Sequence, residues 1–262
     1  MPDEKPKKKT AKKTTKTTKV SKSAEEVVEQ GSLIYIDYVG RTKDDGKVFD
    51  LTLEDVAKEE GLYKEDGYYE PMLVAVGWNW MLQAIEEELV GMKVGESKSI
   101  EVPPEKGAGA RDHSKIKQIA QTKLRKQGVR PIVGEEIKIG NERGVITHVL
   151  GRTVRVDFNS PLAGKTLVFD ITVKEIITDL NEKLFAVVKR RLPTLTREEV
   201  DVSVKSKVIW IELPIRTRYI ESVQYAEIGI AMDALKVHED AKEVKLVVTW
   251  PRPEPPPSEN IT

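Results

Sequence analysis

Apolar and polar residues alternate along residues 166–177, where Leu167, Phe169, Ile171 and Val173 fall on one side. This period of two predicts a β-strand with one buried face. The preceding residues, 159–164, are rich in Asn, Ser, Pro and Gly, which end regular structure. A matching alternation occurs far upstream, at residues 32–39. The pattern therefore predicts that the chain returns at 166–177 to close a sheet after an insertion.

Short strands and two helices are predicted between residues 40 and 102. An Asp-Gly pair at Asp45–Gly46 predicts a hairpin turn. Apolar spacing at Met81, Ile85 and Leu89, followed by Gly91, predicts a helix and its end. The elements predicted here are strands at 48–50, 72–77 and 97–102 and helices at 54–60 and 80–89.

Residues 114–160 differ in their pattern of polar and apolar residues from the segments on either side. Residues 114–127 are polar and are predicted to be partly helical, and short strands follow at 136–139, 144–150 and 153–156. This block predicts a small β domain inserted into the first one, because insertions are tolerated at exposed loop tips.

The chain beyond residue 178 predicts a further small domain. Its expected order is a helix at 181–192, strands at 200–204 and 208–213, a helix at 222–235 and a strand at 244–250. In the second helix, the apolar residues spaced for one face are Tyr225, Ile228, Met232 and Leu235. Helices and strands mixed in this way predict an α+β unit.

The predicted fold class is therefore α+β, with three folded units between two tails. The predicted boundaries are a disordered Lys-rich tail at 1–30, a first domain at 31–113 and 161–178, the inserted domain at 114–160, the C-terminal domain at 179–250 and a Pro-rich tail at 251–262.

Composition narrows the classes of function. The 262 residues include no Cys and three scattered His, which argues against disulfides, thiolate sites and a His-rich metal site. No apolar run reaches membrane length, and no apolar segment follows the lysine-rich start. A cytoplasmic protein without a metal or cofactor is expected. Nine lysines among the first 22 residues predict either contact with ribosomes or RNA, or a solubilising tail.

Five motifs carry a resemblance to a known family. They are DYVG at 37–40, DGKVFD at 45–50, LVGMKVGE at 89–96, VPPEK at 102–106 with RD at 111–112, and LAGKTLVFD at 162–170. In this order they resemble FKBP-type peptidyl-prolyl cis-trans isomerases of the SlyD-like and archaeal long-type branch. The resemblance implies a twisted antiparallel sheet on a short helix, and an insert that acts as a chaperone-like "insert-in-flap" domain.

The resemblance also implies the site residues. The catalytic group would be Tyr38, Phe49, Asp50 and Phe169, and the substrate-binding group would be Met72, Met81, Leu82, Ile85 and Ala108. Aromatic walls would hold the prolyl ring, Asp50 would orient the amide at the rim, and the Leu82 backbone would bond the substrate. Rotation about an X-Pro bond needs no metal or nucleophile, because its barrier arises from amide resonance.

Ala108 departs from the family pattern. Relatives usually carry an aromatic residue there, often Tyr, and many place an aromatic floor where this chain has Ile85. The departure predicts weakened isomerase activity. Trp78 and Trp80 are candidates for the missing aromatic surface, and ordinary packing is the alternative reading of both.

The predicted function is isomerisation of X-Pro bonds in unfolded or nascent proteins, coupled to chaperone-like binding by the insert. The protein is expected to act as a monomer without a membrane partner. Two alternatives remain open from the sequence. One is a holdase with a degenerate isomerase cleft, suggested by Ala108 and Ile85, and the other is a ribosome- or nucleic-acid-associated factor, suggested by the Lys-rich tail.

Overall fold

The computed structural model describes residues 27–126 and 128–252. The predicted Lys-rich tail and Pro-rich tail fall almost wholly outside these residues. The strands are β1 Leu33–Thr42, β2 Val48–Leu51, β3 Met72–Ala75, β4 Ser97–Val102, β5 Ile116–Ala120, β6 Glu136–Ile139, β7 Glu142–Leu150, β8 Thr153–Asp157, β9 Leu167–Ile177, β10 Asp201–Lys205, β11 Val208–Glu212 and β12 Glu243–Val247. The α-helices are α1 Glu54–Glu59, α2 Gln83–Leu89, α3 Gln121–Lys126, α4 Leu180–Arg191 and α5 Val223–Val237.

The first sheet has the strand order β2-β1-β9-β4, with β3 also paired to β1, and all of its pairings are antiparallel. β1 and β9 pair along their whole lengths, from Leu33 opposite Ile177 to Thr42 opposite Leu167. The predicted long-range closure is therefore confirmed.

One face of this sheet packs on α2. Ile34 and Ile36 of β1 are fully buried against a cluster that includes Ile85 and Leu89 of the helix. Burial of each such side chain stabilises the fold by roughly 1.5–3 kcal/mol, so this cluster is the main core of the unit. The sheet and the short helix agree with the predicted architecture.

The other face of the sheet is covered near the start of β1. Leu33 is buried, and Tyr35 packs in the same cluster as Ala186 and Val187 of α4. The strand predicted at 32–39 is therefore present, and this end of it is buried on both faces. Alternation cannot report the second buried face, because the apolar residues that cover it lie in the C-terminal part of the chain.

α2 begins later than predicted, at Gln83 rather than residue 80. Residues 78–81 form turns and bends instead, and Leu82 is the N-cap of α2. The carboxylate of Glu86 accepts hydrogen bonds from the backbone N–H groups of Gly77, Asn79 and Met81, at 2.8, 3.1 and 2.8 Å. These bonds hold the preceding backbone in a turn and so delay the helix.

A second, four-stranded antiparallel sheet, β5-β8-β7-β6, lies between β4 and β9 in the chain. It encloses a small cluster of its own around Leu124, Ile146 and Val156. The partly helical prediction for 114–127 is met by α3 at Gln121–Lys126, and Ile116–Ala120 form the unpredicted strand β5. Pairing of β5 with β8 supplies backbone hydrogen bonds that overrule the weak polar pattern.

The third sheet is β10-β11-β12, in which β11 and β12 run parallel. α4 and α5 cover one face, and Leu184 and Ile230 are buried there. The apolar residues predicted for one face of α5 are exposed: Tyr225, Ile228, Met232 and Leu235. The helix packs instead through Val223, Ile230 and Ala234. Gly229 lets α5 lie close to Arg191 of α4, since a Cβ there would lie 2.7 Å from the Arg191 guanidinium carbon.

No helix among the described residues is long and apolar enough to cross a membrane.

Asp157 joins the two segments that connect the first and second sheets, one between β4 and β5 and the other between β8 and β9. Its buried carboxylate accepts bonds from the Asn159 backbone and side chain, at 2.8 and 2.7 Å, and pairs with Arg111. Asn159 in turn bonds the backbone of Asp112 on the other connecting segment. Burial would raise the pKa of Asp157, but the bonds from Asn159 and the Arg111 charge outweigh it, so the pKa is lowered.

We expect Asp157→Asn to lower the free energy of unfolding by about 1–3 kcal/mol at neutral pH, because charge-assisted bonds at a buried carboxylate are lost. A lowered folded-state pKa means that this stabilisation is present above the ordinary value of 3.8 and is lost as pH falls through the folded-state pKa. Urea unfolding at neutral pH and at a pH well below 3.8 measures the difference in unfolding free energy between wild type and D157N. Asp240→Asn, an exposed turn position, is the control. An equal difference between wild type and D157N at both pH values would contradict the assignment.

Candidate active site

Three aromatic rings meet where β1, β2 and β9 lie side by side. The ring centroids of Phe49 and Phe169 are 5.6 Å apart with an edge-to-face angle of 84°. The ring of Tyr38 lies 6.1 Å from that of Phe169. Such tilted pairs are favourable aromatic arrangements, so the relative positions of the rings are well defined. Tyr38 and Phe169 are 6% and 5% exposed, and Phe49 is half-buried.

Gly40 of β1 makes this aromatic corner possible. A Cβ at this position would lie 2.9 Å from Cζ of Phe49 and 3.1 Å from Cε1 of Phe169. Those separations are well below van der Waals contact, so any other residue would push one of the rings aside. The DYVG motif therefore requires glycine at its last position for steric reasons.

Asp50 is tied to the corner by a hydrogen bond. The Tyr38 hydroxyl donates to Oδ2 of Asp50 at 2.7 Å, and the Leu51 N–H donates to Oδ1 at 3.0 Å. Burial, followed by the hydrogen bond and the charge of Asp50, raises the pKa of Tyr38 well above its ordinary value. Tyr38 therefore stays protonated and fixes an exposed carboxylate at the rim.

The remaining apolar residues of the candidate site join the same cluster. Met72, Met81 and Leu82 are half-buried and pack against it, and Phe49 does so from β2. Ile85 is 0% exposed, so it lies beneath the surface and supports the other side chains. The structure thus places Tyr38, Phe49, Met72, Met81, Leu82, Ile85 and Phe169 in or against one hydrophobic core, and it bonds Asp50 to Tyr38.

The N–H of Leu82 has no hydrogen-bond partner in the part of the chain that the structure describes. Its C=O, in contrast, accepts from the N–H groups of Ile85 and Glu86 at 2.8 and 3.1 Å. One donor is therefore available beside the apolar cluster, and its direction is fixed by the first turn of α2.

Ala108 is not brought into this cluster. It lies half-buried in a loop held by hydrogen bonds from Gly109 N to Pro104 O and from Gly164 N to Gly109 O, both 2.8 Å. Leu162 packs against the cluster from the segment that precedes β9. Leu162 belongs to the LAGKTLVFD motif, although the motif by itself does not indicate it as a site residue.

Two other features were missed or left open by sequence. Glu86 holds the 77–82 turn through its hydrogen bonds. In the sequence it could have been noticed as an acidic residue on the apolar face of α2, between Ile85 and Leu89. Trp78 and Trp80 pack with the cluster on the opposite face of the sheet. They therefore add no aromatic surface beside Phe169.

The residues described hold no group of three or more His, Asp or Glu side chains arranged to bind a metal ion. What the site presents is an apolar surface, one backbone donor and one anchored carboxylate. Such a surface can hold a small apolar ring and orient the backbone on either side of it.

Comparison with known families agrees with this geometry. A family model described as "FKBP-type peptidyl-prolyl cis-trans isomerase" matches residues 24–174, more than half of the chain. The chain therefore belongs to the family of FKBP-type peptidyl-prolyl cis-trans isomerases and is an isomerase. A second model, described as "FKBP26_C-terminal", matches residues 180–251.

Individual proteins of this family are also similar to the chain. A short-type peptidyl-prolyl cis-trans isomerase of Methanocaldococcus jannaschii is 37% identical over 150 residues, 57% of this chain and 94% of that protein. An FKBP-type 16 kDa peptidyl-prolyl cis-trans isomerase of Escherichia coli is 32% identical over 133 residues, 49% of this chain and 87% of that protein. The isomerase SlyD of Aeromonas hydrophila is 28% identical over 119 residues, 44% of this chain and 55% of that protein. The SlyD-like resemblance is confirmed.

Proposed function

We propose that the surface formed by Tyr38, Phe49, Phe169, Met81 and Leu82 is the site at which this isomerase binds and turns X-Pro bonds. The observation that carries the proposal is the convergence of these side chains on one cluster, with Asp50 anchored at its edge. Unfolded or nascent polypeptides are the proposed substrates.

The proposed mechanism follows from the nature of the barrier. Rotation about an X-Pro bond is opposed by about 18–20 kcal/mol of amide resonance. A twisted amide has less charge separation than a planar one. An apolar surface therefore stabilises the twisted form, relative to the planar form, more than water does. The prolyl ring would lie against Phe49 and Phe169, and this would place the amide near Asp50.

Hydrogen bonds would orient the substrate on either side of the ring. The Leu82 N–H would donate to a substrate carbonyl, since it has no partner in the described part of the chain. Asp50 would accept a hydrogen bond from the N–H of a residue beside the X-Pro bond and so orient the amide, which has no N–H of its own. Tyr38 would keep the carboxylate in place through its 2.7 Å hydrogen bond.

The proposed site lacks one donor on its open side. A Tyr at position 108 would offer a hydroxyl to the substrate carbonyl, and Ala108 offers none. One hydrogen bond is worth roughly 0.5–1.5 kcal/mol, which is up to about tenfold in rate. The proposed activity is therefore weaker than an aromatic at this position would give.

We further propose that residues 114–160 form a separate inserted domain with chaperone-like binding. Exposed apolar side chains support this: Ile132 and Val133 are 54% and 59% exposed. A groove of about 520 Å³ is lined by Val129, Pro131 and Val149 among others. The free edges of β5 and β6 could pair with an extended client strand.

The remaining expectations extend beyond the described residues or the site. The contact of the Lys-rich tail with ribosomes or RNA stays a prediction, as do the cytoplasmic location and the monomeric state. A holdase with a weakened isomerase cleft remains the alternative function, because Ala108 and Ile85 stand where the family pattern has aromatic residues.

Asp50→Ala tests the proposed site, because Asp50 is exposed and its removal should spare the fold. We expect kcat/KM for an X-Pro peptide in a protease-coupled assay to fall about tenfold, the loss of one charge-assisted hydrogen bond. Asp44→Ala, in the exposed hairpin turn, is the matched control. Equal rates for D50A and wild type would refute the assignment. An inactive wild type that still suppressed aggregation would favour the holdase.

Ala108→Tyr should raise kcat/KM in the same assay by up to about tenfold, because it supplies the missing hydroxyl donor. Ala108→Phe is the matched control, since it adds the ring without the hydroxyl. A gain shared equally by both variants would assign the effect to apolar contact. No gain in either would show that position 108 does not face the substrate.

The double variant Ile132→Ser, Val133→Ser should weaken suppression of client aggregation severalfold, because apolar contact area is lost. Its kcat/KM on a short X-Pro peptide should stay at the wild-type level. Val94→Ser, an exposed apolar position outside the insert, is the control. Unchanged aggregation suppression by the double variant would remove these residues from the proposed client surface.

A further inference from the structure

The turn that precedes α2, residues 77–82, contacts two different hydrophobic clusters. Met81 and Leu82 pack against the cluster that contains Phe169. Trp78 and Trp80 pack against the cluster on the opposite face of the sheet, and their rings meet edge to face at 5.3 Å. One short turn therefore links the proposed substrate surface to the back of the sheet.

The C-terminal helices hold both tryptophans. The guanidinium carbon of Arg190 on α4 lies 3.9 Å from the centroid of the Trp80 ring. Nζ of Lys236 on α5 lies 5.2 Å from the centroid of the Trp78 ring. Val187 of α4 joins the same cluster. Cations at these distances from indole rings are attracted to the ring faces.

The turn has little freedom to absorb a displacement of its tryptophans. Glu86 binds three of its backbone N–H groups, including that of Met81 at 2.8 Å. Gly77 begins the turn at φ +86°, and a Cβ there would lie 1.7 Å from Nε2 of Gln30. The backbone that carries Trp78 and Trp80 is therefore the same restrained backbone that places Met81 and Leu82.

We propose that α4 and α5 set the position of Met81 and Leu82 through Trp78 and Trp80, and that Arg190 and Trp80 are positioning residues for prolyl isomerisation. This inference rests on the proposed substrate site. It gives the C-terminal helices a role in substrate binding although they lie outside the isomerase match at 24–174.

Arg190→Ala tests the coupling in the full chain, because Arg190 is exposed and its loss should leave the fold intact. We expect KM for an X-Pro peptide to rise up to about fivefold with little change in kcat, the range that one such cation–π contact allows. The amide resonances of Met81 and Leu82 should shift in the same variant. Arg190→Lys should restore most of the affinity, because it keeps a cation near the ring.

Arg197→Ala is the matched control. Its guanidinium carbon lies 5.2 Å from the Phe185 ring centroid, and it also pairs with Glu182 of α4 at 2.9 Å. The variant therefore removes contacts to α4 without touching the turn. We expect wild-type KM for this variant. Trp80→Phe, which keeps an aromatic face, should retain more affinity than Trp80→Ala.

Two results separate this inference from the proposed function. If Asp50→Ala slows isomerisation but Arg190→Ala changes neither KM nor the Met81 and Leu82 resonances, the coupling is wrong and the site stands. If Arg197→Ala raises KM as much as Arg190→Ala does, the effect is a general loss of C-terminal packing and the coupling is again wrong.

Discussion

The antiparallel pairing of β1 with β9 is the constraint on which this structure depends. It joins residues from opposite ends of the isomerase region, and it places β9 between β1 and β4. Closing so long a loop costs conformational entropy, which the burial of Ile34, Ile36 and Ile171 offsets. The second sheet is formed entirely within that loop.

The candidate site is a consequence of the same pairing. Phe169 lies on β9 opposite Gly40 of β1, and only glycine leaves room there for the rings of Phe49 and Phe169. The strand that closes the sheet thus also supplies the central ring. The closure of the fold and the shape of the proposed prolyl surface rest on one register, and a slip by one residue would turn Phe169 to the other face.

Much of the site followed from the sequence because its residues belong to short motifs. The motifs at 37–40, 45–50 and 162–170 carry Tyr38, Asp50 and Phe169, and the structure brings these together. Ala108 was named from the same kind of correspondence, yet it lies outside the cluster. Leu162 and Glu86 were not named, because their roles depend on which backbone groups lie near them in space.

The sequence by itself determined the strands and helices whose period is clear, the order of the three groups of strands along the chain, and the family. Only the tertiary structure decided that β1 is buried on both faces near Leu33, that Trp78 and Trp80 turn away from the site, and that the apolar stripe of α5 at Tyr225 and Met232 faces outward. The physical reason is that periodicity reports which residues share a face. Which neighbour covers that face is set by packing between distant parts of the chain.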